Sequence, residues 1–338
     1  MKNVMCIVLA AGKGTRMKSE YPKVLHRVCG YPMLYHVVKA VKGCGIGNLW
    51  IVVGFKGNLV RAELESLKID AKFVDQKEQL GTGHAVLTAL RAIHDKSDLT
   101  LILYGDTPLL KSRTLIGFVE NYIASECKLS ILTARLPDPL GYGRILRDEK
   151  MEVVGIVEEK DATADQKRIR EINTGIYCVD TEWLEDAVGK IRNDNAQGEY
   201  YLTDIVKFIR EEGGKIGSFE VGDITEIEGV NDRGDLACAH KTMERRILNK
   251  LMKSGVTVYH PDTVYTELRT DIGKDSIVYP NCSFVGLVDI GCNCIVESGC
   301  YLNNVKIGSD SRIGFGSYLE GVDIPPKSLI PPFSVLKG

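Results

Sequence analysis

From residue 4 to about 230 the chain alternates short, wholly apolar runs with longer amphipathic stretches. Ile7-Val8-Leu9, Leu49 to Gly54, Leu99 to Tyr104, Leu129 to Ala134, Val153 to Val157 and Gly175 to Val179 are aliphatic and too short for helices, so they read as buried strands. Between them, Met33 to Gly43 and Gly83 to Ile93 repeat apolar residues at helical spacing. This alternation predicts an α/β layer on a mostly parallel sheet, with ligands bound beyond the carboxyl ends of its strands. Two runs end there in polar chemistry, Ala10-Ala11-Gly12 and Tyr104-Gly105-Asp106. Asp106 alone would serve equally well as a turn or cap residue.

A helix then leads out of this region: Leu236, His240, Met243, Ile247 and Leu251 form one stripe, ended by Ser254-Gly255. His240 reads as a packed histidine. Past residue 255 the period changes. Ile272-Gly273, Ile290-Gly291, Ile307-Gly308 and Ile324-Pro325 recur at intervals of 18, 17 and 17 residues, and apolar residues inside them step by six, as in Ile290, Val296 and Leu302. Six-residue steps in threes predict a triangular parallel β-helix of about three coils. Such coils bury a face only against neighbours, so the stack must lean on other surfaces or a second chain. Pro325-Pro326 and Pro331-Pro332 read as a cap resisting further strand addition. The domain boundaries expected are 1–233, a linker helix over 234–255, and a solenoid over 256–338.

A chain of 338 residues with 44% apolar content and a net charge of −2 has room for two domains and carries no basic tail. Nucleic acid is not an expected partner, and Lys167-Arg168-Ile169-Arg170 reads as a solvated helix face. The N-terminal apolar run is too short to span a membrane, which points to the cytoplasm. Ten cysteines without a secretory leader read as reduced thiols. The spacing of Cys282, Cys292, Cys294 and Cys300 lacks the paired C-x-x-C of zinc sites, so turn or core positions are expected.

The densest chemistry lies at Leu9-Ala10-Ala11-Gly12-Lys13-Gly14-Thr15-Arg16, followed by Pro22-Lys23. A strand running into glycines brings bare backbone to a ligand, and Lys13, Arg16 and Lys23 surround that turn with positive charge suited to a polyphosphate. The loop lacks the Lys-Ser/Thr ending of the common phosphate loop and the third glycine of the dinucleotide fingerprint.

With that loop, Glu78-Gln79-Leu80-Gly81-Thr82-Gly83-His84, Tyr104-Gly105-Asp106, Gly141-Tyr142-Gly143-Arg144, Glu171-Ile172-Asn173-Thr174-Gly175, Glu199-Tyr200-Tyr201-Leu202-Thr203-Asp204 and Glu228-Gly229-Val230-Asn231 follow in order. Together they resemble the successive motifs of the bacterial N-acetylglucosamine-1-phosphate uridylyltransferases, across residues 4 to 233. The resemblance implies a Rossmann-like nucleotidyltransferase domain followed by a short left-handed β-helix. It implies Mg²⁺-dependent transfer of uridylyl from UTP to N-acetylglucosamine 1-phosphate, a step toward cell wall precursors, and a homo-oligomer, most simply a trimer.

Residue by residue, the resemblance implies that Leu9, Ala10, Ala11, Gly12, Lys13, Gly14, Thr15, Gln76, Gly81, Thr82, Tyr104 and Gly105 hold the nucleotide. Arg16, Lys23 and Asp106 would be catalytic, with Asp106 and Asn231 binding the metal. Gly143, Glu158, Asn173, Tyr201 and Thr203 would hold the sugar. Family members that also acetylate glucosamine 1-phosphate resemble one another in many more coils and a histidine base within them; no histidine follows His260 here, so acetyl transfer is not expected. Two other readings remain open on sequence: a nucleotidyltransferase using UTP, dTTP or ATP with another hexose 1-phosphate such as glucose or galactosamine, and a non-catalytic subunit of the same architecture.

Overall fold

In the computed structural model, which describes residues 3–195 and 198–338, the chain forms two compact units. The first comprises Met1–His26 and Pro32–Asp235, the second Arg27–Tyr31 and Leu236–Gly338. A nine-stranded sheet organises the first. Its strands are β1 (Val4–Ala10), β2 (Asn48–Val53), β3 (Lys72–Asp75), β4 (Leu99–Tyr104), β5 (Leu129–Arg135), β6 (Gly143–Arg147), β7 (Val153–Val157), β8 (Glu171–Asp180) and β9 (Ile216–Glu220). Their order is β9-β5-β8-β4-β1-β2-β3, with β6 bridging β8 and β7.

The four crossovers between β1 and β5 carry helices α1 (Met33–Lys42), α2 (Gly57–Ser66), α3 (Thr82–Ala92) and α4 (Ser112–Ala124), as parallel pairing requires. Alternate residues of β1 feed opposite cores: Cys6, Val8 and Ala10 pack with α1 and α4, while Met5, Ile7 and Leu9 share a core with α3, α5 (Thr181–Lys190) and α6 (Ile205–Glu211). Both faces are covered, which is why the run is continuously apolar. Each such side chain contributes about 1.5–3 kcal/mol on burial.

Two of the expected strands run against the rest. β8 is antiparallel to both β4 and β5, and β7 is antiparallel to β6. The link from β6 to β7 is too short for a crossover helix. It turns at Met151 (φ 62°), where the Asp148 carboxylate accepts the backbone N–H groups of Lys150 and Glu152. Residues 167–170 are not a helix face either; a single exposed 3₁₀ turn at Gln166–Arg168 gives way to extended chain.

The second unit takes in most of α7 (Arg233–Lys253). Its buried positions are Ala239, Leu248 and Leu251; of the expected stripe Leu251 is buried while Leu236, His240, Met243 and Ile247 are half-buried, because the helix joins the solenoid core through its last turns. His240 is packed as expected: its Nδ1 accepts from the Cys29 N–H at 3.2 Å and its ring stacks on Tyr265.

Beyond α7 the chain winds into a parallel β-helix. One face carries Val278, Val296, Ile313 and Ile330 in register, another Phe284, Leu302, Leu319 and Leu336, and the third Ile272, Ile290, Ile307 and Ile324. The solenoid is longer than the expected three coils, since its first face has five strands, from Thr257–Val258 to Leu329–Ile330. The first coil escapes the repeat because a Pro261–Thr263 turn lengthens it and Thr266 stands where Phe284 stands one coil later. The proline pairs are corners rather than a cap: strands Leu329–Ile330 and Val335–Lys337 continue the ladders past them.

The cysteine cluster has a structural explanation. Ser276, Cys294 and Ser311 occupy equivalent corner positions and donate to the carbonyls of Gly291, Gly308 and Pro325 in the next coil. Cys282, Cys300 and Ser317 do the same toward Glu297, Gly314 and Pro331. A thiol replaces a hydroxyl as the small inward donor, and among the described residues no cluster of three or more His, Cys, Asp or Glu could hold a metal. Also among them, no helix is long and apolar enough to cross a membrane.

Candidate active site

The loop after β1 is shaped by one obligatory glycine. Gly14 sits at φ 62°, and a Cβ there would lie 2.6 Å from the Cβ of Lys23. Any other residue would strain the backbone and push the lysine away. Gly12 is different, since a Cβ there would meet nothing within 4 Å. That space is open to a ligand.

Four polar side chains from distant segments meet beside this loop. Lys23 Nζ donates to Asp106 Oδ2 at 2.5 Å and to Asn231 Oδ1 at 3.0 Å, and Arg16 donates to the same Asn231 oxygen at 2.9 Å. Asp106 leaves the tip of β4, and the Val230 N–H donates to its carbonyl at 2.9 Å, which ties the segment before α7 to the strand end. The carboxylate of Asp106 and the amide oxygen of Asn231 thus converge on one cation, the Lys23 ammonium. Hard oxygen donors of that kind suit a small divalent ion.

A cleft of about 410 Å³ opens here, lined by Leu9 through Arg16, Lys23, Gln76, Gly81, Thr82, Tyr104, Asp106 and Asn231. Every residue assigned to nucleotide from the sequence borders it except Gly105. That glycine lies behind the lining, where a Cβ would press on Leu34 and Val24 at 3.1 Å, so its role is close packing. The cleft also includes Val24, Gln79, Ala85 and Glu199, to which the sequence reading gave no role. Gln79 and Glu199 stand inside quoted motifs, yet only the fold shows which motif positions turn inward.

A second cavity, of about 810 Å³, adjoins the first and shares Thr15, Arg16, Thr82, Tyr104 and Glu199 with it. Gly143, Glu158, Asn173, Tyr201 and Thr203 all line it, together with Tyr142, Asp161 and Thr174. Asn173 Oδ1 is occupied, accepting from the Gly175 N–H and the Tyr177 hydroxyl. Its Nδ2 donates to no group among the described residues, which leaves a donor for a ligand. Burial pushes the Glu158 carboxyl above its ordinary range; a hydrogen bond from Thr203 opposes this, while Asp161 and Asp204 reinforce it. Glu159 is committed elsewhere, to Arg144 at 2.6 Å.

The arrangement presents two adjoining cavities, one against a strand-to-loop backbone that carries Lys13, Arg16 and Lys23 and one lined by amide, carboxylate and hydroxyl groups. Comparisons with known proteins give the chain a family. The MobA-like NTP transferase domain matches residues 6–169. Over 337 residues the chain is 42% identical to the bifunctional protein GlmU of Pelobacter propionicus, covering 100% of this chain and 73% of that one. It is 44% identical over 342 residues to GlmU of Caldanaerobacter subterraneus subsp. tengcongensis, covering 100% and 74%. GlmU of Clostridioides difficile is 41% identical over 335 residues, covering 99% and 72%. A solved Bacillus anthracis protein, provisionally assigned as a glucose-1-phosphate thymidylyltransferase, superposes with a TM-score of 0.57 at 21% identity, over 70% of this chain and 94% of that one, and shows the shared fold.

Proposed function

The chain belongs to the GlmU family, and from that premise we propose that it transfers uridylyl from UTP to N-acetylglucosamine 1-phosphate, releasing pyrophosphate. The observation that carries this reading is the meeting of Arg16, Lys23, Asp106 and Asn231 in the first cleft, with Arg16 also bordering the second cavity.

The chemistry needs no nucleophilic side chain. A sugar phosphate oxygen already carries negative charge and attacks the α-phosphorus in line, while pyrophosphate leaves. Two polyanions must meet, so catalysis consists of positioning and neutralisation. Asp106 and Asn231 would hold Mg²⁺, which when bound neutralises phosphate charge. Lys23 supplies a compact charge beside the reacting phosphate, and Arg16 a planar fork suited to the departing pyrophosphate. The backbone from Leu9 to Gly12, with Gln76, Gly81 and Thr82, holds the uridine. Asn173 Nδ2 and Glu158 offer a donor and an acceptor to the amino sugar, with Gly143, Tyr201 and Thr203 shaping its seat. This chemistry belongs to residues 1–233.

Pyrophosphate release from UTP, dTTP and ATP with a panel of sugar 1-phosphates, with and without Mg²⁺, tests the reading. Turnover is expected chiefly with UTP and N-acetylglucosamine 1-phosphate, and only with the metal. Preference for another pair would replace that substrate assignment, and no release with any pair would support a non-catalytic role.

A further inference from the structure

The nucleotide cleft is bordered by a side-chain amide oxygen with no hydrogen bond among the described residues, and a histidine that the proposed reaction does not use explains how that amide is oriented. Gln76 is 3% exposed and borders the cleft. Its Nε2 lies 3.2 Å from the carbonyl oxygen of Gly81 and 3.0 Å from His84 Nδ1. A carbonyl can only accept, so the amide must turn its NH₂ toward Gly81. Both Nε2 protons are then spent, one on Gly81 and one on His84. The second bond requires a lone pair on His84 Nδ1, so the ring proton sits on Nε2. Oε1 is left without a hydrogen bond among the described residues. The backbone beneath is fixed as well: Gln76 donates its N–H to the Val53 carbonyl, and its own carbonyl accepts from Gln79. Gly81, the first acceptor, is held at φ 111° against the Tyr200 backbone, so its carbonyl cannot easily turn away.

We propose that His84 is a specificity-determining positioning residue: by accepting from Gln76 Nε2 it locks Gln76 Oε1 toward the base site as an acceptor, and so selects an imide N–H donor. This rests on the reading of the cleft as a uridine site. Uracil and thymine both present N3–H and match that acceptor. Cytosine presents a bare N3 lone pair, which would face Oε1 acceptor to acceptor. Rejection of a base that leaves a buried polar group unpaired is the stronger form of discrimination available to such a site. The lock reads the imide edge alone, so it does not distinguish uracil from thymine.

Two substitutions test it, with kcat and KM measured for UTP, dTTP and CTP against N-acetylglucosamine 1-phosphate, and UTP and CTP affinities measured by calorimetry. His84→Leu keeps an apolar side chain in place but removes the acceptor. It is expected to lower the UTP over CTP preference roughly tenfold, through KM and affinity, with kcat at saturating UTP changed less than about twofold. The dTTP parameters should move with those for UTP. His84→Asn sets an amide oxygen near the position of Nδ1 and should restore the preference to within about threefold of the parent. An unchanged UTP over CTP ratio in His84→Leu, or an Asn variant as poor as the Leu variant, would overturn the proposal. If the parent protein turns over no nucleotide but binds UTP over CTP in a His84-dependent way, the reaction assignment fails and the lock stands.

Discussion

The two units spend their buried polar groups in opposite ways. In the solenoid, the corner donors Ser276, Cys294 and Ser311 each close on a carbonyl one coil away, and the ladder repeats itself. In the sheet unit, valences point into the clefts: Gln76 Oε1 and Asn173 Nδ2 have no protein partner among the described residues, and two oxygens crowd one ammonium at Lys23. A polar group on a cavity wall with no protein partner offers a hydrogen bond that a ligand can complete, and Gln76 lines one of the two adjoining cavities while Asn173 lines the other. Substitutions should therefore affect chemistry in the first unit and folding in the second.

The largest expected effect is Lys23→Ala, which should lower turnover by at least ~10²-fold, the scale of losing one preorganised charge donor. Urea unfolding should be little changed, because the lysine serves the cleft rather than the core. In the solenoid, Leu302→Ala should destabilise that unit by about 2–5 kcal/mol in urea unfolding, the range for a fully buried leucine, while leaving the turnover of folded protein near the parent value. A smaller loss, about 0.5–1.5 kcal/mol, is expected for Cys300→Val, which removes one of two donors to the Gly314 carbonyl and leaves the Ser317 hydroxyl in place.

Glu158 sharpens the contrast through pH. Its carboxyl titrates above the ordinary glutamate value because of burial, so the folded protein holds that proton more tightly than the unfolded chain does. The resulting stability is fully present below the unfolded value and is lost as pH rises through the folded one. Affinity for the sugar phosphate should move oppositely, improving as the carboxylate forms and becomes an acceptor. Glu158→Gln should abolish both limbs in a pH series of KM and of unfolding midpoints. The smallest effect belongs to Cys300→Ser. Ser317 already performs the same donation one coil on, so less than ~1 kcal/mol should be lost.

The same division governs how much was legible beforehand. Each coil contacts chiefly its neighbours, so a 17 or 18 residue period written in Ile290, Ile307 and Ile324 maps directly onto inward positions. It failed only where Thr266 and the Pro261–Thr263 turn broke the period. The apolar runs of the sheet unit gave six of its nine strands, missing β3, β6 and β9, and not their direction, because β7 and β8 are as aliphatic as their parallel neighbours and only connection length separates the cases. The site motifs were visible as motifs. What no local pattern carries is the approach of Arg16 and Asn231, 215 residues apart, or the inward turn of Gln79 and Glu199. The solenoid cysteines were legible as turn or core residues, and only register shows that their thiols stand where serines donate in other coils.

The central claim is that Asp106 and Asn231 jointly seat a divalent cation against the phosphates. Titration of Mn²⁺ into the protein with UTP present, followed by electron paramagnetic resonance, tests it most directly. The account predicts a bound ion in the parent protein whose affinity falls at least ~10-fold in Asp106→Ala and in Asn231→Ala, the lower end of what loss of even an outer partner gives. Mn²⁺ binding that is unchanged in both variants would contradict it.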